Sequence, residues 1–177
     1  MAQFTTQTLR FHKQSHSSAP ADLCEIMDSV FAMYAPRFKN SSIQLERKYL
    51  THARLRCFTS ELRQVFANLV GNALDAMAQG GRLNVRIRLA RARDDGAESG
   101  IRVAIADTGH GIPVELQRRV FEPFMSTKEI TGVGLGLWVS QGIVKKHGGR
   151  IVLRSSTSPQ RHGTVFTLFF PFRTPQE

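Results

Sequence analysis

The hydrophobic pattern changes its period at Gly80-Gly81, and this change constrains the fold more than any other feature of the sequence. Before it, apolar residues recur at three-four spacing and predict one apolar stripe on a helix: Leu62, Val65, Phe66, Leu69, Ala73 and Met77. After it, apolar and polar residues alternate over 82–89, which predicts a half-buried antiparallel strand. A striped helix beside a two-faced strand predicts a two-layer α/β sandwich.

The other elements continue this order of helices interleaved with strands. Helices are predicted over about 21–39, 114–120 and 134–147, and strands over about 43–50, 54–58, 101–106, 150–154 and 164–170. Asp22 is expected to cap the first helix, and Thr59 or Ser60 the second. The predicted fold class is α+β, with a mixed, mostly antiparallel sheet and the helices on one face. Residues 21–173 are predicted as one domain, between a polar tail at 1–20 and a short tail at 174–177.

Composition gives no sign of a membrane span, a signal peptide or a zinc site, and it shows an excess of positive charge. The 24 Lys and Arg against 14 Asp and Glu give a net charge of +10, which suits a polyanionic partner such as nucleic acid or nucleotide phosphate. No apolar run approaches the ~20 residues of a membrane span, and no signal-peptide pattern is present. Cys24 and Cys57 lack the spacing of zinc ligands. They are expected to be buried hydrophobes in a reduced, cytoplasmic compartment.

Two motifs place polar residues and glycines where elements meet. The central helix carries a polar face, on which the two mid-helix asparagines are unusual because a solvated surface would favour Lys, Glu or Gln. The residues of this face are Glu61, Asn68, Asn72 and Asp75. The segment DTGHGIP, residues 107–113, joins the end of a strand to the start of a helix, and its two glycines allow close approach of the backbone. An ordinary solvated face and a plain tight turn remain the alternatives for these two motifs.

Two further motifs follow along the chain. The polar stretch within 121–131, anchored by Phe121 and Phe124, suits a mobile lid or a plain surface loop. The segment GVGLGL, residues 132–137, opens a helix whose free N–H groups and dipole favour phosphate. It is not the dinucleotide fingerprint, because a polar segment precedes it and no acidic residue lies about 20 residues further on. The sequence also has no GxxxxGK[ST] segment, which excludes the P-loop class.

In order and spacing, NLVGNALDAM, DTGHGIP, FEPFMSTK and GVGLGL resemble the N, G1, F and G2 boxes of the sensor histidine kinases. Over about residues 21–171 the chain is similar to the catalytic, ATP-binding domain of that family. The wider superfamily includes gyrase-type, mismatch-repair and heat-shock chaperone ATPases. The resemblance implies a Bergerat-type fold, protein-histidine kinase activity, and ATP and Mg²⁺ as cofactors.

The resemblance also implies a role for individual residues. Asn72 would coordinate Mg²⁺, Asn68 would face the phosphates or the metal shell, and Asp107 would accept a hydrogen bond from the adenine amino group. Lys128 would approach the γ-phosphate, which with Asn68 and Asn72 completes the expected catalytic set. The further expected nucleotide contacts are Asp75, Gly109, Gly111, Ile112, Phe124, Thr127, Gly132, Gly134, Leu135, Gly136, Leu137 and Thr164.

The expected phosphate acceptor is a protein histidine. ATP hydrolases of the superfamily place a Glu four residues before the metal-binding Asn, where this chain has Asn68, and a neutral amide cannot act as a general base near neutral pH. Neither His12 nor His16 precedes an acidic residue, as the family's acceptor does. The acceptor is therefore expected on a dimerisation domain of the parent outside this chain, with a response-regulator receiver as an indirect partner. No autophosphorylation of the chain alone is expected.

Several alternatives remain open at this point. A hydrolase, a serine-directed kinase and a degenerate nucleotide-binding scaffold share the same superfamily. A nucleic-acid-binding module would use the net charge and the arginines of 82–93. The chain has no helix-turn-helix, RNP or zinc pattern, so no nucleic-acid partner is expected.

Overall fold

The computed structural model describes residues 17–91, 99–125 and 134–172. Their helices and strands are, in chain order, β1 (Ala19–Asp22), α1 (Leu23–Lys39), β2 (Ile43–Tyr49), β3 (Arg54–Cys57), α2 (Thr59–Ala76), β4 (Gly81–Arg91), β5 (Ser99–Asp107), α3 (Val114–Gln117), α4 (Gly136–Lys146), β6 (Arg150–Ser158) and β7 (Arg161–Pro171). None of these described helices combines the length and apolar character needed to cross a membrane.

One layer is a five-stranded sheet of order β2-β4-β5-β7-β6. β2 runs parallel to β4, and the remaining neighbours are antiparallel. Along β4 the side chains alternate, so that Leu83 and Ile87 are fully buried under the helices while Arg82 and Arg86 are exposed on the opposite face. The predicted α+β sandwich, with a mixed, mostly antiparallel sheet, is confirmed.

The second layer is built around α2, which packs against both α1 and α4. Its apolar stripe faces the sheet, and Leu62, Phe66 and Leu69 have no exposed surface. Burial of side chains of this size stabilises the fold by about 1.5–3 kcal/mol each. The stripe predicted from three-four spacing is therefore the central part of the core.

The ends of the first two helices follow different rules. Asp22 caps α1 as predicted, because its Oδ1 accepts the N–H of Cys24 at 2.8 Å. The predicted side-chain cap of α2 is wrong, since the N-cap residue is Phe58, which has no polar side chain. The Phe58 N–H instead donates to Nε2 of His147 at 3.1 Å, a partner 89 residues away.

A two-stranded sheet of β1 and β3 stands beside the main sheet. β1 begins at Ala19, so it includes two residues that the sequence analysis assigned to the tail. Cys24 and Cys57 are both buried and unpaired, as expected for small hydrophobes. The hairpin of β6 and β7 is longer than predicted, because the polar residues of 155–163 continue the antiparallel ladder.

Candidate nucleotide-binding site

Asp107 lies at the end of β5, and its carboxylate is buried and oriented by two backbone donors. Oδ1 accepts the N–H of Gly109 at 2.8 Å and the N–H of Thr164 at 3.2 Å. Both bonds use Oδ1, so Oδ2 keeps acceptor capacity for another donor. Burial raises the pKa of Asp107 above its usual range, and the two N–H bonds oppose this shift. The arrangement presents a fixed hydrogen-bond acceptor, which is what an exocyclic amino group requires.

The loop after Asp107 packs against the end of α2 and the part of the β6–β7 hairpin near its turn. A Cβ on Gly109 would lie 2.6 Å from Cβ of Ala76, and the N–H of His110 donates to the Ala76 carbonyl at 3.3 Å. Gly111 has φ +76°, a conformation that favours glycine, and it packs on the backbone of Ser156. The two glycines of this motif are thus required by close backbone contacts.

Ser155 connects three parts of this loop region, and the sequence analysis did not identify it. Its Oγ accepts the N–H of Ile112 at 2.7 Å, donates to the Gly163 carbonyl and contacts Oγ1 of Thr164 at 2.8 Å. His162 adds a contact of 2.7 Å from Nδ1 to the Gly109 carbonyl oxygen. Thr164 therefore lies beside Asp107, and Ser155 connects Ile112 to Thr164. A serine and a histidine on a polar hairpin gave no sequence signal of this role.

Asn68 of α2 contacts the first two turns of α4. Nδ2 of Asn68 donates to Oγ of Ser140 at 3.0 Å, and the Cα of Gly136 packs on the Asn68 amide. Asn72 is half-buried one turn later, between Asn68 and the Ala76 contact with the Asp107 loop. Asn68 and Ala76 are eight residues apart, about 12 Å along a helix. α2 thus connects the first and last glycine motifs across the site.

Asp75 lies on α2 but contacts α1. Its Oδ1 is 2.7 Å from a guanidinium nitrogen of Arg37, and both side chains are substantially exposed. Surface ion pairs of this kind contribute about 0–1 kcal/mol. The helical wheel placed Asp75 beside the asparagines, whereas the neighbouring helix holds its carboxylate in this surface pair.

The start of α4 supplies backbone donors. Gly134 has φ +68°, Leu135 is the N-cap without a side-chain bond, and Gly136 is the exposed first residue. Leu137 packs against the core and anchors this end. Because no described side chain at the N-cap bonds the first turn of this helix, its first N–H groups and the positive end of its dipole suit an anion.

The expected lid is described only up to Met125. Phe121 is partly buried and makes an edge-on contact with Phe166, with centroids 6.5 Å apart, so it anchors the segment as expected. The expectation that the ring of Phe124 anchors this segment is wrong, because the residue is 75% exposed and has φ +64°. The backbone of Phe124, rather than its ring, packs against Gly134. The remaining predicted lid and phosphate residues, Thr127, Lys128 and Gly132, lie outside the described residues.

His147 joins the far ends of the two helices that form the site. It is 2% exposed, its Nδ1 is 2.8 Å from the Ile143 carbonyl, and its Nε2 accepts the Phe58 N–H. Lys146 beside it contacts Glu61 of α2 at 2.8 Å. The acceptor role of Nε2 requires a neutral ring, and burial lowers the pKa of His147, with the Ile143 bond opposing the shift.

This histidine predicts a loss of stability in acid. A folded-state pKa below the unfolded value of about 6.5 means that the unfolded chain binds more protons, so the unfolding free energy falls as the pH drops below about 6.5. Urea unfolding at pH 7.5 and 5.5 measures this. His147→Gln is expected to lose about 1–3 kcal/mol at pH 7.5 and most of the pH dependence. The exposed His162→Gln is the control, and an unchanged slope in His147→Gln would contradict the prediction.

Known proteins match both the sequence and the fold. The family described as histidine kinase-, DNA gyrase B-, and HSP90-like ATPase matches residues 59–174. Sensor kinase CckA of Brucella abortus (strain 2308) is 33% identical over 96% of this chain and 19% of CckA. The catalytic domain of histidine kinase ThkA has a TM-score of 0.74 at 26% identity, over 89% of this chain and 99% of that one. The structure of full-length ShkA in complex with AMPPNP matches with a TM-score of 0.72 at 25% identity, over 97% of this chain and 36% of the ShkA chain.

The mixed, mostly antiparallel five-stranded sheet, covered by α2 and its neighbouring helices, is the fold of solved histidine kinase catalytic domains. The chain belongs to the family of histidine kinase-, DNA gyrase B- and HSP90-like ATPases, as a catalytic domain of the sensor histidine kinase type. It spans 14–25% of the length of eight curated relatives that it matches.

Proposed function

We propose that this domain binds ATP with Mg²⁺ and transfers the γ-phosphate to a histidine on a dimerisation domain of its parent protein. The observation that carries the proposal is the buried Asp107 carboxylate, held by the Gly109 and Thr164 N–H groups with acceptor capacity left for adenine. An exocyclic amino group is a donor, and adenine has one where guanine has a carbonyl. Asp107 would therefore select adenine.

The phosphate end would lie at the start of α4. Gly136 and Leu137 would present N–H groups there. Thr127, Lys128 and Gly132 are proposed as further contacts of the phosphates. Phosphoryl transfer depends mainly on positioning and charge stabilisation, which these groups suit. ShkA has been solved with AMPPNP, an ATP analogue, which supports the same ligand class for this chain.

Asn72 fits a magnesium site by its chemistry. Mg²⁺ prefers oxygen ligands, and the amide oxygen of Asn72 is a neutral one on the half-buried face of α2. When bound, the metal would neutralise charge on the phosphates. Asn72 would hold it, and Asn68 would lie in the surrounding shell.

Transfer to a protein rather than to water is supported by the carboxylates of α2. The hydrolase position holds Asn68, whose amide cannot take a proton from water near neutral pH. The other acidic side chains on the same helix make ion pairs elsewhere, Glu61 with Lys146 and Asp75 with Arg37. Neither ion pair involves Asn68 or the start of α4, which supports a protein acceptor rather than water.

The partners follow from the proposed transfer. The dimerisation domain would supply the histidine, and a response-regulator receiver would then accept the phosphate. ThkA has been solved with the response regulator protein TrrA, although that match, at 22% identity, shows the fold alone. The side chains of Arg82 and Arg86, which would support the nucleic-acid alternative, are exposed on the face of the sheet opposite the helices, and that of Arg82 pairs with Glu46. A cytoplasmic location is proposed because the proposed partners and ATP are expected there.

The proposal predicts ATP binding without fast hydrolysis. The purified chain is expected to bind Mg²⁺-ATP in calorimetry, to release little phosphate, and to label the parent's dimerisation domain when that domain is added with γ-labelled ATP. Rapid phosphate release that disappears in Asn72→Ala would show a hydrolase instead. Stable labelling of His12 or His16 in the chain alone would contradict an acceptor outside it.

A further inference from the structure

Ser140 is a buried polar residue on an otherwise apolar face of α4. It is 1% exposed, and its neighbours on the helix, Leu137 and Val144, pack into the core. A hydroxyl in such a position costs free energy unless it is hydrogen-bonded. Its described partner is the Asn68 amide, which donates from Nδ2 to Oγ at 3.0 Å. The glycine motif at 132–137 ends before Ser140, and the residues around Ser140 carry no sequence signal of a role for it.

The Asn68 amide is held at both of its ends. Gly136 lacks a Cβ, and the space that a Cβ would take is filled by Oδ1 and Cγ of Asn68. Nδ2 reaches Ser140, one helical turn further along α4. The positive end of the α4 dipole favours the carbonyl oxygen at the Gly136 side and leaves the NH₂ group for Ser140. The amide thus lies flat across the first turn of α4 with one orientation favoured.

We propose that Ser140 is a positioning residue for the phosphate end of the site, acting through Asn68. By accepting from Nδ2, its hydroxyl fixes the direction of Oδ1 and links α2, which carries the asparagines, to the α4 turn that would bind phosphate. Without this acceptor the NH₂ group of the half-buried Asn68 amide loses its described protein partner, and the amide turns or withdraws from the turn. The inference rests on the proposed function, since it concerns the same site.

A positioning role differs from a structural one in which ligands it affects. Ser140→Ala keeps the helix, because alanine has a higher helix propensity than serine. Its effect should therefore be confined to ligands that reach the start of α4. Adenosine has no phosphate and would contact only the Asp107 end, so its affinity is expected to stay unchanged, whereas Mg²⁺-ATP is expected to bind about 5–20-fold more weakly.

The experiment measures dissociation constants for Mg²⁺-ATP and adenosine in the wild type, Ser140→Ala, Asn68→Ala and the double variant. The double variant is expected to match Asn68→Ala, because Ser140 acts through that side chain. Ser29→Ala is the matched control, since its Oγ accepts from Arg63 Nε at 3.1 Å between α1 and α2, away from Asn68. Thermal unfolding checks that each variant is folded.

The outcomes separate the two proposals. Wild-type ATP affinity in Ser140→Ala, or independent effects that add in the double variant, would overturn the positioning role and leave the proposed function standing. A wild-type chain that binds no ATP would overturn both. If Ser140→Ala fails to fold, the test is hydrogen exchange of the Asn68 NH₂ group in the wild type. Slow exchange is expected. Exchange as fast as in an exposed amide would refute the inference.

Discussion

Asp107→Asn is expected to weaken ATP binding by about 10–100-fold, the cost of losing a hydrogen bond to a charged, buried acceptor. The variant is nearly isosteric, and its Oδ1 still accepts from the Gly109 and Thr164 N–H groups. Its Nδ2 then occupies the place of Oδ2. An NH₂ donor would face the adenine amino group, which is also a donor, so the pair repels where the wild type attracts.

The same substitution is expected to narrow the preference for ATP over GTP, because guanine presents a carbonyl that accepts from the new NH₂ group. Competition between the two nucleotides measures this directly. Asp28→Asn is the matched control. Asp28 lies on α1, and its carboxylate makes exposed contacts with Arg47 and Tyr49 of β2. Unchanged ATP affinity and selectivity in a folded Asp107→Asn variant would remove the observation on which the proposed function depends.

Asn72→Ala is expected to reduce phosphorylation of the dimerisation domain by at least about 100-fold, since loss of even a supporting partner of a metal ligand costs 10–100-fold. The alanine also suits a helix, so α2 should remain folded. Adenosine binding is expected to survive, because the Asp107 end does not involve this side chain. The Mg²⁺ dependence of ATP affinity should largely disappear.

Phosphate transfer from labelled ATP, and ATP affinity with and without Mg²⁺, are the measurements for Asn72→Ala. Asn84→Ala is the control, because Asn84 lies on β4 among the outward-facing residues of the sheet. Transfer at the wild-type rate by Asn72→Ala would show that another group holds the metal. The expected loss of transfer in Asn72→Ala with adenosine binding retained, set beside the expected loss of base selectivity in Asp107→Asn, would separate the base-binding end of the site from the phosphate end.

Local patterns predicted the layers and most elements because they depend on neighbours within a few residues. The apolar stripe that includes Leu62 and Leu69 required a covering sheet. The alternation of apolar and polar residues along β4 required one buried and one solvent-exposed face. The Asp107 loop and the first turn of α4 were identifiable because glycines and turn residues restrict the backbone locally. These signals determined the α+β class and the order of the site's motifs.

Long-range packing decided the details that the sequence left open. Phe58 is no helix cap by residue type, yet His147 satisfies its N–H from 89 residues away. Asp75 shares a helical face with Asn72, but α1 packs beside α2 and its Arg37 forms an ion pair with the Asp75 carboxylate. The outward ring of Phe124 likewise follows from a backbone conformation, φ +64°, that its residue type rarely adopts.

The sequence by itself therefore determined the class of the fold, the nature of the motifs and the family they resemble. Only the tertiary structure decided which helix lies against which, and so brought Ser140 to Asn68 across 72 residues and Ser155 to Ile112 across 43. Periodicity states that a face is buried but not what covers it. A serine has the same local pattern in a solvated turn as beside a binding site, and its partner is fixed only when the helices and strands pack.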